Sequence, residues 1–276
     1  MQETLLVCSE STREYLPSHM YSRVHVVSAP PQKDILKLKN SEESVIAIGG
    51  GAVIDIAKII SSRPIICYPT TAAGSAVTSH SVYWDGSKKM SIKVHIPSEV
   101  HVVEKFVQSL PERVREYTFY DVLGHCLDSL WSKNRTKESV ALVNAALKIL
   151  SSDFSNVQLV EAGNLAGQAI QICPTTILHA LSYPMTAYYK IPHGRAVGYF
   201  IPHLCKFMDF DLKPYIKYPR DCLPDIDTYT IASAALEYDK AHNIEKEIDA
   251  LQLADLLRFD NDIFRIYKEA GYDREW

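Results

Sequence analysis

The sequence predicts an α/β dinucleotide-binding half, residues 1–108, followed by an all-helical half, residues 109–276. Three observations carry that expectation. Short β-branched runs alternate with helical stretches in the first third, as in parallel sheets covered on both faces. A Gly49-Gly50-Gly51 run ends one of those strands and opens a helix. After Leu110-Pro111 the apolar residues recur almost entirely at helical spacing.

Taken in order, residues 4–8 read as a buried strand and 11–21 as a short helix. Residues 23–27 read as a second strand, closed by Ala29-Pro30-Pro31, and 34–39 as a brief helix. Residues 44–48 form a strand running into the glycines, 53–61 a helix and 64–68 another strand. In the second half, residues 112–131, 137–151, 157–173, 175–189 and 231–257 carry helical periodicity. Residues 197–201 are the one run there that reads as a strand. Ala162-Gly163 and Ala166-Gly167 place small residues one turn apart, which permits close packing. Residues 219–227, with Pro219 and Pro224 among charges, read as a loop.

Composition narrows the function classes. At 47% hydrophobic and 22% charged, 276 residues can bury a substantial core. A net charge of −4, with Lys88-Lys89 the nearest approach to a basic cluster, argues against nucleic-acid or membrane-surface partners. No apolar stretch approaches the ~20 residues of a membrane span, and residues 1–4 lack the features of a signal peptide. Six cysteines without a C-x-x-C pair read as reduced thiols, so a cytoplasmic protein is expected.

Two residue pairs point to a metal. Asp121 and His125, four apart, share one face of a helix, so both can reach one point. His179 and His193 bracket a segment ending in Ile191-Pro192-His193-Gly194, where a helix stops and the chain turns back. One carboxylate oxygen and three imidazoles suit Fe2+ or Zn2+ better than Mg2+ or Ca2+. Each pair alone also fits a solvated helix face or a core histidine bonded to a backbone carbonyl. The other histidines have no ligand spacing.

Gly49-Gly50-Gly51 follows a strand and opens a helix, where free amides without a nearby Cβ suit a pyrophosphate. The run is not G-x-G-x-x-G, and a tight turn is the plainer reading; Asp55 and Lys58 beyond it also fit a solvated face. A second loop, Tyr68-Pro69-Thr70-Thr71-Ala72-Ala73-Gly74-Ser75, follows the next strand. Two such loops at neighbouring strand ends bracket a crevice of the kind that takes dinucleotides.

With both loops and both pairs in place, the chain resembles the iron-containing (group III) alcohol dehydrogenases, which share their fold with dehydroquinate synthase and glycerol dehydrogenase. The resemblance runs from about residue 44 to 204, through residues 46–58, 69–78, 121–128 and 179–194. Carried over position by position, it implies Asp121, His125, His179 and His193 as ligands of one divalent ion, Fe2+ or Zn2+. It implies Gly49, Gly50, Gly51, Asp55, Thr70, Thr71 and Ser75 as contacts of NAD or NADP, and places Lys89 near the nicotinamide ribose. The chain is shorter than the usual member, its second loop is one residue short, and Ala76 replaces a usual glutamate. Tyr183 stands where many members have a further histidine, as in the branch resembling phosphonoacetaldehyde reductases.

The resemblance implies an NAD(P)H oxidoreductase that interconverts a small aldehyde and its primary alcohol. The ion polarises the carbonyl oxygen, and Tyr183 or solvent delivers the proton. Arg195, two residues past the last ligand, is the residue expected to meet an anionic tail such as a phosphonate, with a solvent-facing helix start as the other reading. Ser9 aligns at the end of the first strand, where the family often has aspartate; with Arg13 nearby, this predicts a preference for NADPH. A homodimer is the expected assembly. Two rival functions are a dehydroquinate synthase-like lyase or cyclase, and a shortened, silent relative serving as a binding subunit.

Overall fold

The structure is a computed structural model that describes residues 3–38, 44–108, 110–218, 226–258 and 261–272. The first strand, β1 (Thr4–Ser9), buries Leu5 through Cys8. Two single 3-10 turns, Glu10–Thr12 and Ser18–Met20, follow it in place of the expected helix over 11–21. Pro17, extended and without an amide hydrogen, separates them. Strand β2 (Arg23–Val27) is half exposed, and residues 33–38 make a 3-10 turn rather than an α-helix.

Next come β3 (Ser44–Gly49), α1 (Gly51–Ile60) and β4 (Ile66–Pro69), close to their expected positions. A hairpin of β5 (His80–Asp85) and β6 (Lys88–Lys93) was not foreseen. Its turn has Gly86 at φ 63, a conformation that suits glycine in two-residue hairpin loops. A short β7 (Glu99–Val100) completes a five-stranded parallel sheet in the order β2-β1-β3-β4-β7.

That order sets the place of a ligand crevice. From β1 the chain steps outward to β2; from β3 it steps the other way to β4. The switch falls between β1 and β3, and crevices of open α/β sheets lie at the carboxyl ends of strands at such a switch. Ser9 and Gly49 are the last residues of those two strands. One sheet face packs on α1 through Val53, Ile56, Ala57 and Ile60. The opposite face is covered by Leu16, Tyr15, Tyr21 and Phe106, the last from α2 (Glu104–Val107).

The second half is helical: α3 (Glu112–Trp131), α4 (Lys137–Ser151), α5 (Asn156–Ile172), α6 (Ile177–Tyr189) and α7 (His193–Phe207). Helix α3 packs against all four others around a core that includes Phe119, Leu123, Leu127 and Phe200. Residues 197–201, expected as a strand, lie inside α7. Their glycine-spaced face seats on α3: a Cβ on Gly194 would meet the Tyr117 carbonyl, and one on Gly198 would meet the Tyr120 ring at 2.6 Å.

The single helix expected over 231–257 is two helices, α8 (Thr228–Leu236) and α9 (Ala250–Leu256), with a 3-10 turn at Asp239–His242. The intervening backbone finds its partners at the end of α3. Lys133 donates to the Asn243 carbonyl at 3.2 Å and Glu245 donates to that of Trp131 at 3.0 Å. Asp249 then caps α9 in a capping box with Gln252. A final helix, α10 (Asn261–Glu269), follows. Most of the expected loop over 219–227 lies outside the described residues, as does Cys222; the other five cysteines are buried and free. No helix among the described residues is long and apolar enough to cross a membrane.

Candidate metal and cofactor site

Helix α3 carries Asp121, His125 and Asp128 at i, i+4 and i+7, a single stripe. Helix α6 presents His179 in its first turn. Lys190, at φ 57, ends α6 in the left-handed conformation, and α7 begins on His193. That reversal brings two histidines far apart in sequence to one carboxylate. Asp121 Oδ1 lies 3.5 Å from His179 Nε2, 3.5 Å from His193 Nε2 and 4.0 Å from His125 Nε2. Ligand atoms of Asp121, His179 and His193 all fall within 4.8 Å of one another. The His125 ring stacks on that of His179, centroids 4.5 Å apart.

These are not hydrogen-bond contacts. Asp121 Oδ1 and His179 Nε2 are buried with no hydrogen-bond partner, as is His125 Nδ1. Each such atom costs about 1–3 kcal/mol when nothing satisfies it. The unsatisfied Asp121 oxygen and His179 nitrogen, with the Nε2 atoms of His193 and His125 close to the same oxygen, fit a borderline divalent cation. Burial acts to raise the Asp121 carboxyl, but His125, His179 and His193 hold it well below the usual range. Burial lowers His125 to about 4 and, with Lys89, pushes His193 down as well. Those imidazoles are therefore neutral at pH 7, the form that binds metal.

Two further groups orient the cluster, and both escaped the sequence reading. Asp128 Oδ2 accepts from His179 Nδ1 at 2.8 Å and from its amide at 3.2 Å. Its Oδ1 accepts from the Leu178 amide at 3.0 Å and the Thr176 hydroxyl at 2.7 Å. One carboxylate thus caps α6 and turns His179 Nε2 toward Asp121. The signal was present: Asp128 lies one heptad beyond Asp121, on the same stripe. Ser182 Oγ donates to the His179 carbonyl at 2.7 Å and lies 3.1 Å from His193 Nδ1, so it holds the second histidine.

The two loops meet at the carboxyl ends of the neighbouring strands β3 and β4. Thr70 N donates to the Gly49 carbonyl at 3.0 Å. A Cβ on Gly50 would stand 3.1 Å from Thr71 Oγ1, and one on Gly51 would stand 3.0 Å from Ala73 Cβ. Gly50 and Gly51 begin α1, where the first amides have no partner within the helix. The second loop in turn lies on α5. A Cβ on Gly163 would strike the Ala72 carbonyl, and one on Gly167 would reach the Gly74 oxygen at 2.6 Å.

Asp55 and Ser75 turn toward each other, Ser75 Oγ donating to Asp55 Oδ1 at 3.2 Å. Buried Lys58 donates to the carbonyls of Ser75 and His80 at 2.7 and 2.6 Å. This group pins the second loop to α1. At the end of β1, Ser9 Oγ lies 2.9 Å from Thr12 Oγ1, which donates to the Ile48 carbonyl at 2.8 Å.

Lys89, on β6, extends from the hairpin to the metal cluster, its Nζ 3.3 Å from His193 Nε2 and 4.8 Å from the centre of the Tyr183 ring. Tyr183 is buried and stacks beside His193, centroids 6.0 Å apart. Its hydroxyl accepts from Lys240 Nζ, which also donates to Thr175 Oγ1 at 2.9 Å. Burial lowers Lys240 to about 8. Arg195 occupies the third position of α7, about 200° around the helix from His193. Residues two apart leave a helix on different faces.

Residues 10–111 match the family model "Iron-containing alcohol dehydrogenase", and residues 117–218 match "Fe-containing alcohol dehydrogenase family, C-terminal". The chain belongs to the iron-containing alcohol dehydrogenase family. It is 24% identical to long-chain-alcohol dehydrogenase 1 of Geobacillus thermodenitrificans, over 73% of this chain and 62% of that one. It is 29% identical to 4-hydroxybutyrate dehydrogenase of Clostridium kluyveri, over 59% and 54%. It is 25% identical to phosphonoacetaldehyde reductase of Streptomyces viridochromogenes, over 59% and 52%. The chain thus spans roughly half to three-fifths of the length of these relatives. The crystal structure of sulfoacetaldehyde reductase from Bifidobacterium kashiwanohense in complex with NAD+ superposes with a TM-score of 0.79 at 21% identity, covering 93% of this chain and 90% of that one. The fold is that of this family, the dehydroquinate synthase-like fold.

Proposed function

We propose that the chain is a metal-dependent NAD(P)H oxidoreductase that interconverts a small aldehyde and its primary alcohol in the cytoplasm. The observation that carries this reading is Asp121 Oδ1, buried and without a hydrogen-bond partner, 3.5–4.0 Å from three imidazole Nε2 atoms. Asp121, His125, His179 and His193 would hold the ion, Fe2+ or Zn2+, which supplies Lewis acidity toward a carbonyl oxygen.

The chain's own residues do the rest. Gly50 and Gly51 at the start of α1, with Thr70 and Thr71 opposite, take the pyrophosphate. Asp55, Ser75 and Lys58 keep the second loop against α1. Lys89 extends from the cofactor side to the cluster, as a residue near the nicotinamide ribose would. Tyr183 Oη accepts from Lys240, leaving its own hydrogen to bond a substrate oxygen or deliver a proton to it.

Two of the relatives bear names with an anionic substrate, 4-hydroxybutyrate and phosphonoacetaldehyde, which favours a short aldehyde with an acidic tail. A dehydroquinate synthase-like lyase would share the crevice, but no relative cited above is one. The deciding experiment supplies NADPH or NADH with phosphonoacetaldehyde, succinate semialdehyde and butyraldehyde and follows absorbance at the nicotinamide band. Oxidation of the dinucleotide by any aldehyde supports the reading; no turnover by protein loaded with Fe2+ or Zn2+ refutes it.

A further inference from the structure

Deepening the aldehyde-reductase reading, on which it rests, we propose that Lys240, with Thr175 beside it, is the subsite for the anionic end of the substrate. Lys240 sits in the 3-10 turn Asp239–His242, in the segment tied back to the end of α3. Its Nζ lies 4.4 Å from the centre of the Tyr183 ring, which stands beside His193. The Tyr183 ring thus has this ammonium on it and a residue of the metal cluster beside it.

The cation has capacity to spare. An ammonium has three hydrogens, and the tyrosine and threonine hydroxyls take two. No salt bridge joins Lys240 or Lys89 to a carboxylate among the described residues. The two lysines approach the same tyrosine ring, so two ammonium groups converge there, with the Asp128 carboxylate acting on Lys240 only at a distance. A desolvated cation is retained at a cost unless a partner compensates, and a phosphonate, sulfonate or carboxylate would be that partner.

Lys240→Met and Lys240→Gln are compared with the wild type by two readouts. The first is the ratio of kcat/KM for phosphonoacetaldehyde over butyraldehyde. The second is calorimetric binding of 2-hydroxyethylphosphonate to the purified protein. Glutamine keeps a donor to Tyr183 and Thr175 while removing the charge, so it decides the matter if the methionine variant does not fold. Loss of a charged hydrogen bond should lower the ratio and the phosphonate affinity by about 10- to 100-fold, mainly through KM. The proposal is overturned if both aldehydes lose efficiency equally, which would make Lys240 a support for Tyr183, or if both variants bind the phosphonate as tightly as wild type. Should the wild type reduce neither aldehyde, the reductase reading fails, while the calorimetry still decides the subsite.

Discussion

Asp128 and His179 are joined at the heart of the site: Oδ2 lies 2.8 Å from Nδ1, and the same carboxylate accepts three further hydrogen bonds at the start of α6. The bond fixes which imidazole nitrogen faces Asp121. Replacement of such an outer carboxylate costs about 10- to 100-fold in metal affinity. Asp128→Asn should show that loss in competition with a chelator while leaving the fold recognisable by circular dichroism. Unchanged affinity would mean that Asp128 serves α6 alone.

The same residue sets a pH dependence. Burial acts to raise Asp128, but its bonds to His179 and Thr176 hold it below the ordinary carboxylate value. A group with a depressed folded-state pKa stabilises fully above its unfolded value of about 3.9 and loses that contribution as the pH falls through the folded one. Wild type should therefore lose stability below about pH 4 more steeply than Asp128→Asn. Parallel acid-unfolding curves would sink this assignment.

His193 is the most exposed imidazole of the cluster, its side chain at 29% against 3% for His179. It closes the site from the α7 side, so His193→Ala should release the ion without collapsing the core. The purified wild type is expected to carry about one divalent ion per chain, and the variant none, with turnover lost in parallel. Elemental analysis of protein from iron- and zinc-rich medium checks this; the absence of both metals from wild type would remove the metal hypothesis.

Gly163 links the helical half to the cofactor crevice. A Cβ there would lie 2.8 Å from the Ala72 carbonyl carbon, and neither backbone can yield easily. Gly163→Ala should destabilise by about 1–3 kcal/mol, visible in thermal denaturation, and weaken NAD(P)H binding because the second loop is displaced. Wild-type dinucleotide affinity in a destabilised variant would show that the loop does not touch the cofactor.

Cofactor choice is expected to follow the end of β1. Ser9 carries no charge to repel a 2′-phosphate, and Arg13 lies just beyond the 3-10 turn that follows it. NADPH should be used in preference to NADH, with Ser9→Asp reversing the order. Equal turnover of both dinucleotides by wild type would refute the preference.

The local order of the chain was legible because its signals are local. Continuous apolar runs gave β1, β3 and β4, and helical periodicity gave α3 and α4 at their observed bounds. The i, i+4 spacing of Asp121 and His125 and the position of the glycine run are likewise properties of single elements. Tertiary contacts decided the rest. Pro17 and the hydroxyl cap at Thr12 replaced a helix by two turns. Residues 243–245 broke another helix because their backbone finds partners at the end of α3. The convergence of His179 and His193 on Asp121 depends on the left-handed Lys190 and on Asp128 holding α6 in place. The meeting of Lys240 with Tyr183, 57 residues apart, follows from no pattern in the sequence. It exists because a turn after α8 is drawn across the end of α3, an outcome of packing rather than of periodicity.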